Sequence, residues 1–168
     1  MSQLAPTPGQ TVGPFFGFAL PYAGDSELVP PTRPDAIRLH GRVYDGAGDP
    51  VPDAIIELWQ TAPDGSVPRA PGSLHRDGYT FTGWGRAATD RTGQYQFSTL
   101  RPGGVTPFFG ITVFARGLLD RLFTRAYLPG AAPERWPGVA AQADDRGFVF
   151  DIRLQGEGET VFLEHGTT

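Results

Sequence analysis

The chain contains no cysteine among its 168 residues. This absence excludes disulfide bonds, thiolate metal sites and cysteine nucleophiles. It is compatible with a reducing cytosol, and the first residues lack the basic region and apolar region that together form a signal peptide. We therefore expect a cytoplasmic protein.

Long apolar runs and clusters of basic residues are also missing. No apolar stretch approaches the roughly 20 residues that a membrane-spanning helix needs. The formal net charge is −4, and no part of the chain has the basic patch that nucleic-acid binding requires. The sequence thus predicts a protein that acts neither in a membrane nor on nucleic acid.

Glycine and proline are abundant, with 23 and 17 residues respectively. They are dispersed among apolar runs, a pattern typical of many turns between short strands. The length predicts one domain, and we expect an all-β, antiparallel β-sandwich, because the strands are joined by short connections. The eight predicted strands cover residues 37–45, 54–60, 81–89, 94–100, 110–117, 121–128, 148–155 and 159–165, and residues 138–143 have weak helical potential.

Residues 1–35 have no periodic pattern and predict an extended N-terminal arm preceding a sandwich of residues 36–168. The arm carries apolar side chains, Phe15 and Phe16 among them, that are worth burying. It could pack on another subunit or on its own domain, and the sequence does not choose between the two. Phe108 and Phe109 also lie in a predicted loop, where a monomer would expose them.

The sequence contains no obvious arrangement of catalytic or metal-binding residues. The three histidines, His40, His75 and His165, never form a two-histidine ligand pair, and we expect each to be structural or solvated. His40 lies on the polar face of its strand and is predicted to face solvent. Most aspartates occupy turns, where their side chains bond the local backbone. No nucleophile or phosphate-binding motif is present.

Five passages nevertheless carry a family resemblance. The segments GRVYDGAGDPVPDAIIELWQTAPDG and TDRTGQYQFSTLRPG are similar to transthyretin-like and intradiol dioxygenase sandwiches. The segments TPGQTVGPFF, VFARGLLDRLFTRAYL and FVFDIRLQGEGETVFLEH resemble the non-iron α chains of protocatechuate-cleaving intradiol dioxygenases. The resemblance covers nearly the whole chain.

The resemblance implies that iron is bound elsewhere. In this family a homologous β chain binds Fe(III) through two tyrosines and two histidines, and the corresponding positions here are Val67, Val105, Phe108 and Gly110. These side chains offer no oxygen or nitrogen lone pair to a metal. A shift of one residue would put Phe109 in place of Phe108 without changing that conclusion.

The resemblance also implies a substrate cleft at the contact between the α and β chains. The residues expected there are Thr11, Gly13 and Pro14 of the arm, together with Arg125. Arg125 would hold the carboxylate of a small aromatic substrate, or it would form an ordinary ion pair in the interface.

Two further points stay open at this stage. The chain between residues 127 and 148 is shorter than the family pattern, which leaves the details of assembly undetermined. The alternative function is a transthyretin-like β-sandwich that binds a ligand or partner without catalysis. The N-terminal arm and the segment of residues 114–128 favour the dioxygenase subunit, because a generic sandwich has no reason to carry them.

Overall fold

The computed structural model describes residues 10–70, 76–134 and 139–163. Among these residues, no helix has the length and apolar character that crossing a membrane demands. The elements in chain order are α1 (Phe16–Ala19), β1 (Ile37–Tyr44), β2 (Ile55–Trp59), β3 (Trp84–Ala88), β4 (Gln94–Thr99), β5 (Phe108–Phe114), β6 (Leu122–Tyr127), β7 (Gln142–Ala143), β8 (Gly147–Val149) and β9 (Ile152–Arg153).

The strands form two sheets, which confirms the predicted all-β sandwich. Sheet 1 has the order β4-β1-β8-β7, with β9 also paired to β1, and sheet 2 has the order β3-β2-β5-β6. Most pairs are antiparallel, as expected, but β1 pairs in parallel with both β8 and β9. The argument from short connections applies only to strands that are neighbours in sequence. It fails for β1 and β8, because the chain passes through both sheets before it returns to β1.

The C-terminal third differs from the sequence-based expectation in three places. The predicted strand over 148–155 is divided into β8 and β9. Residues 139–143 contain β7 where a weak helix was expected. Residues 159–163 form no strand, although single backbone bonds tie Thr160 to Arg153 and Leu163 to Phe123. Strands this short have weak periodicity, so their boundaries are set by the neighbours they pair with.

Alternating side chains from the two sheets fill the space between them. Leu39 and Val43 of β1 and Phe97 of β4 meet Leu58 of β2 and Phe109 of β5, and each is at most 1% exposed. Full burial of one such side chain stabilises the folded state by about 1.5–3 kcal/mol. The period-2 pattern in the sequence is therefore the pattern of this core.

The described part of the N-terminal arm packs on its own domain. Residues 25–29 lie between the free edges of β3 and β4: Arg86 N–H donates to the Asp25 carbonyl, and Leu28 N–H donates to the Ser98 carbonyl. Arg76 fixes this segment by donating to the carbonyls of Gly24 and Asp25. The arm also contains α1, a short helix that the sequence did not predict.

The division between β8 and β9 follows from a glycine in β1. Gly41 pairs with Tyr95 of β4, and the space above Gly41 is occupied by the Phe150 carbonyl. The buried Tyr95 hydroxyl donates to that carbonyl over 2.6 Å. Asp151 Oδ1 accepts from the Arg42 N–H at 2.8 Å. Side chains thus replace part of the backbone ladder at this point.

We predict that Gly41→Ala lowers the free energy of unfolding by about 3 kcal/mol, the upper range for overpacking a core. The added methyl group would overlap the Phe150 carbonyl oxygen and displace it from Tyr95. Urea unfolding measures the loss. Gly17→Ala is the matched control, since its methyl group would meet Asp53 Cβ at an ordinary 3.6 Å. Equal stability of the two variants would contradict the proposed packing.

Candidate functional site

The outer face of sheet 2 carries a cluster of aromatic side chains, with tilted rings, around one arginine. The Arg125 guanidinium lies 4.7 Å from the centroid of the Phe108 ring, and its Nη1 donates to the Tyr127 hydroxyl over 3.1 Å. The Phe108 ring centroid is 5.5 Å from that of Tyr127 and 6.4 Å from that of Trp59. We call these four residues, with Gly110, the aromatic face.

Strand register brings these residues together. Gly110 of β5 lies between Trp59 of β2 and Arg125 of β6 in the backbone pairing. A Cβ atom at Gly110 would lie 3.3 Å from the Trp59 carbonyl oxygen, so the glycine allows close approach at this point. Phe108 and Gly110 share one side of the strand because side chains alternate.

The position of Phe109 differs from the one expected from the sequence. It was expected in a loop and exposed, but it belongs to β5 and is completely buried in the core. Strand β5 begins at Phe108, two residues earlier than the sequence pattern indicated. Phe108 is half-buried beneath Arg125 and is not exposed either.

Two loops at the same end of the sandwich carry Val67 and Val105. Their side chains are 53% and 103% exposed, respectively. The loops meet at a pair of glycines, because a Cβ atom at Gly65 would lie 3.1 Å from Gly104 Cα. Thr61 Oγ1 also donates to the Gly103 carbonyl over 2.9 Å. The four positions implied by the resemblance thus occupy one end of sheet 2 and the loops beside it.

Residues of the arm lie near the other end of sheet 2. Thr11 Oγ1 accepts a hydrogen bond from the Gly117 N–H, which follows the end of β5, at 3.0 Å. Gly13 and Pro14 come next and are exposed. Arg125 pairs with Gly110 near the start of β5. Within one chain, the structure does not bring the arm residues and Arg125 together.

His40 forms an ionic cluster that the sequence did not indicate. Its Nε2 lies 2.7 Å from Asp144 Oδ2, and Arg38 Nη2 is 3.4 Å from the same oxygen. The hydrogen bond from His40, followed by the bond from the Arg146 N–H, lowers the pKa of Asp144 to about 2. The partners are 104 and 106 residues apart, so no local motif could reveal them. His75 and His165 lie outside the described residues.

The residues at the implied ligand positions do not fit a ferric ion. Valine, phenylalanine and glycine side chains cannot coordinate a metal. Over residues 10–70, 76–134 and 139–163, no three His, Cys, Asp or Glu residues cluster as a metal site would need. The location of the iron on a partner chain remains a prediction.

The comparisons with known proteins agree with this architecture. A family model described as Dioxygenase matches residues 19–129. The protocatechuate 3,4-dioxygenase alpha chain of Burkholderia cepacia is 33% identical over 198 aligned residues, covering 98% of this chain and 100% of the relative. The alpha chain of Pseudomonas putida is 34% identical, covering 96% and 97%.

The chain belongs to the intradiol dioxygenase family. The protocatechuate 3,4-dioxygenase beta chain of Burkholderia cepacia is also similar, with 29% identity over 75% of this chain and 67% of the relative. Among solved structures, the dioxygenase domain of a carbohydrate-binding fusion protein from Streptomyces sp. SirexAA-E shares the fold. It has a TM-score of 0.59 and 24% identity, covering 90% of this chain and 99% of the other.

Membership of the intradiol dioxygenase family confirms the resemblance inferred from the sequence and makes the chain a subunit of an oxidoreductase of the dioxygenase type. The assignment of Thr11, Gly13, Pro14 and Arg125 to a substrate cleft stays a prediction.

The lowered pKa of Asp144 predicts a specific loss of stability in acid. A carboxylate whose folded pKa of about 2 lies below the unfolded value of about 3.9 stabilises the fold above that unfolded value. This contribution disappears as the pH falls towards 2. We expect Asp144→Asn to be less stable than the wild type at neutral pH, and the difference to shrink below about pH 4.

Urea unfolding at a series of pH values measures this difference. Asp145→Asn is the matched control, because it removes a neighbouring exposed carboxylate. A difference that persists unchanged at pH 2, or one that is equally large for Asp145→Asn, would contradict the role of the His40–Asp144 contact.

Proposed function

We propose that the chain is the non-iron α subunit of a heteromeric, cytoplasmic protocatechuate 3,4-dioxygenase. Its partner is a homologous β chain that carries the Fe(III). The assembly opens the ring of protocatechuate with O2 to give 3-carboxy-cis,cis-muconate, a step in the catabolism of aromatic compounds. Iron in the partner supplies the activation of the catechol and oxygen, and this chain supplies one wall of the cleft.

One observation carries the proposal. The aromatic face occupies the positions where the resemblance places a histidine pair, in a chain similar to protocatechuate 3,4-dioxygenase alpha chains over nearly its full length. Phe108 and Gly110 lie on the accessible side of β5. If the alignment is shifted by one residue, the two histidine positions become Phe109 and Ile111, whose side chains are buried in the core and could not face a metal at the surface. The geometry therefore favours Phe108 and Gly110 as the substituted positions.

Arg125 is available for a carboxylate. Its contacts within the described residues are the Tyr127 hydroxyl and the face of the Phe108 ring, and no carboxylate there lies within 4.0 Å of it. Both contacts restrain the guanidinium without neutralising it. A held and uncompensated guanidinium is suited to bind the carboxylate of protocatechuate in two-point geometry.

The surface around the aromatic face supports a partner contact. Trp59 is 37% exposed, and the fully exposed Val105 and the half-exposed Val67 extend the apolar area across the adjoining loops. Aromatic residues and arginine are enriched in interface cores, while exposed apolar clusters are unusual in monomers. We infer that the β chain covers this surface.

In the proposed assembly the exposed beginning of the arm, unlike residues 25–29, contacts a neighbouring chain. Phe15 and Phe18 are 74% and 85% exposed, so these side chains are not used by the core of this chain. A cleft that includes Thr11 as well as Arg125 requires the arm to leave Gly117, or to reach the cleft of another copy. The glycine and proline at positions 13 and 14 permit the close backbone approach that such a contact needs.

We predict that the chain purified alone is colourless, carries no stoichiometric iron and has no ring-cleaving activity. Co-expression with a homologous chain that bears two tyrosines and a His-x-His pair should give a coloured, active hetero-oligomer, because obligate interfaces bury surfaces that are poorly tolerated in water. Metal analysis, visible spectra and sedimentation measure these properties. If the chain stays a stable monomer and does not bind such a β chain, the alternative function as a transthyretin-like binding module is favoured instead.

We predict that Arg125→Ala in the assembly raises KM for protocatechuate roughly tenfold to a hundredfold, since a charge-assisted hydrogen bond contributes about 1.5–3 kcal/mol. KM for catechol, which lacks the carboxylate, should change little. Steady-state kinetics on both substrates, with iron content and assembly size, provide the measurement.

Arg121→Ala is the matched control for this experiment. Arg121 also stacks on an aromatic ring of the same strand region, 5.0 Å from the Phe123 centroid. It should leave both KM values near those of the wild type. If Arg125→Ala instead raises KM equally for both substrates and dissociates the subunits, Arg125 forms an ion pair in the interface. The proposed contact with the substrate carboxylate is then rejected.

A further inference from the structure

Tyr127 lies on the outer face of sheet 2, yet only 2% of the residue is exposed. Its ring packs against that of Phe108, with the ring centroids 5.5 Å apart. The backbone of Tyr127 is also held, because its N–H donates to the Val139 carbonyl and its carbonyl accepts from the Ala141 N–H, both at 2.8 Å. These contacts fix the position of the tyrosine hydroxyl without any contribution from a ligand.

The Tyr127 hydroxyl holds one nitrogen of Arg125. Nη1 of Arg125 donates to it over 3.1 Å, and the hydroxyl must be the acceptor because a guanidinium has only donors. The Phe108 ring centroid lies 4.7 Å from the same guanidinium. A contact with a ring face allows a guanidinium to turn above the ring, whereas a hydrogen bond to one nitrogen is directional. The hydroxyl therefore sets the direction in which the guanidinium points.

Two nitrogens of Arg125 stay free. Nε and Nη2 have no hydrogen-bond partner in the described part of the chain. Neither is fully buried, since Arg38 Nε is the single buried side-chain nitrogen or oxygen without a partner over residues 10–70, 76–134 and 139–163. Nε and Nη2 together form one of the two double-donor edges of a guanidinium, and such an edge matches both oxygens of a carboxylate.

We propose that Tyr127 is a positioning residue for Arg125: its hydroxyl holds Nη1 and so presents the Nε–Nη2 edge to the carboxylate of the substrate. The inference rests on the proposed function, because it takes protocatechuate as the source of that carboxylate. Tyr127 itself does not touch the substrate, since it is almost completely buried. Selectivity for a ring that bears a carboxylate then depends on two side chains, of which only Arg125 meets the substrate.

The isosteric change Tyr127→Phe isolates the hydroxyl group. It keeps the ring and its packing on Phe108, and it leaves the charge of Arg125 in place. Without the hydroxyl, the guanidinium has to be ordered when the substrate binds, which lowers affinity roughly twofold to tenfold for one flexible side chain. The effect should thus be smaller than that of Arg125→Ala, which removes the donors altogether.

A double-mutant cycle in the assembled enzyme tests the inference. Steady-state kinetics are measured for the wild type, Tyr127→Phe, Arg125→Ala and the double variant, together with assembly size. We expect Tyr127→Phe to raise KM for protocatechuate roughly twofold to tenfold and to change KM for catechol little. The double variant should have the same KM for protocatechuate as Arg125→Ala alone, because no guanidinium is left to position.

Tyr44→Phe is the matched control. Tyr44 belongs to β1 in sheet 1 and also lies beneath an arginine, with the Arg153 guanidinium 5.6 Å from its ring centroid. Removing its hydroxyl should leave both KM values near those of the wild type. In crystals of the assembly with bound 4-hydroxybenzoate, which keeps the carboxylate, the carboxylate oxygens should lie about 3 Å from Nε and Nη2 of Arg125.

Several results would overturn the inference. They are an equal rise in KM for both substrates in Tyr127→Phe, a full additional effect of Tyr127→Phe in the Arg125→Ala background, an equal effect of Tyr44→Phe, and a carboxylate bound across Nη1 and Nη2. If Arg125→Ala raises KM for protocatechuate and Tyr127→Phe does not, the proposed function stands and only the positioning role is rejected. If Arg125→Ala leaves that KM unchanged, the substrate contact fails and the positioning role fails with it.

Discussion

The two sheets are held in register at one end by a completely buried glutamine. Gln60 follows β2, and its Oε1 accepts from the Thr99 hydroxyl at 2.6 Å, while its Nε2 donates to the Leu100 carbonyl at 2.8 Å. These bonds join the end of β2 in sheet 2 to the end of β4 in sheet 1. An unpaired buried amide would cost about 1–3 kcal/mol, so the two chain segments cannot separate without a substantial loss of stability.

This constraint determines the geometry of the proposed partner surface. The loops that carry Val67 and Val105 leave from the two segments that Gln60 joins, and the Gly65–Gly104 approach keeps them in contact. Trp59, directly before Gln60, is consequently directed outwards onto Phe108. The four positions implied by the resemblance are therefore held close together, whereas their side chains offer no donor atom to a metal.

Much of the fold could be predicted from the sequence, because its signals are local. Alternation in β1, β2 and β4 gave the correct strands within one or two residues, and the turn residues between them gave the correct connections. The parallel pairing of β1 with β8 and the cluster of His40 with Asp144 could not be predicted in this way. Both depend on contacts between residues more than 100 positions apart, which no window of sequence contains. Gln60 lies in a segment that carries the family resemblance, but its burial could not be predicted, because a single polar residue gives no signal that it is buried.

The presence of Phe108 and Gly110 at the positions implied for a histidine pair has a physical consequence beyond the absence of metal ligands. A histidine pair would leave polar nitrogens at this surface that require a metal or water. Phe108 instead packs between Trp59, Tyr127 and Arg125, so the surface is satisfied by contacts within the chain. A surface that is ordered before association loses less conformational entropy when a partner binds. The same contacts leave the Arg125 charge unpaired within the described residues, so that it remains available to a carboxylate from outside the chain. In the proposed assembly, the aromatic face is therefore a preformed wall with one uncompensated guanidinium, which a chain without iron would contribute to a shared cleft.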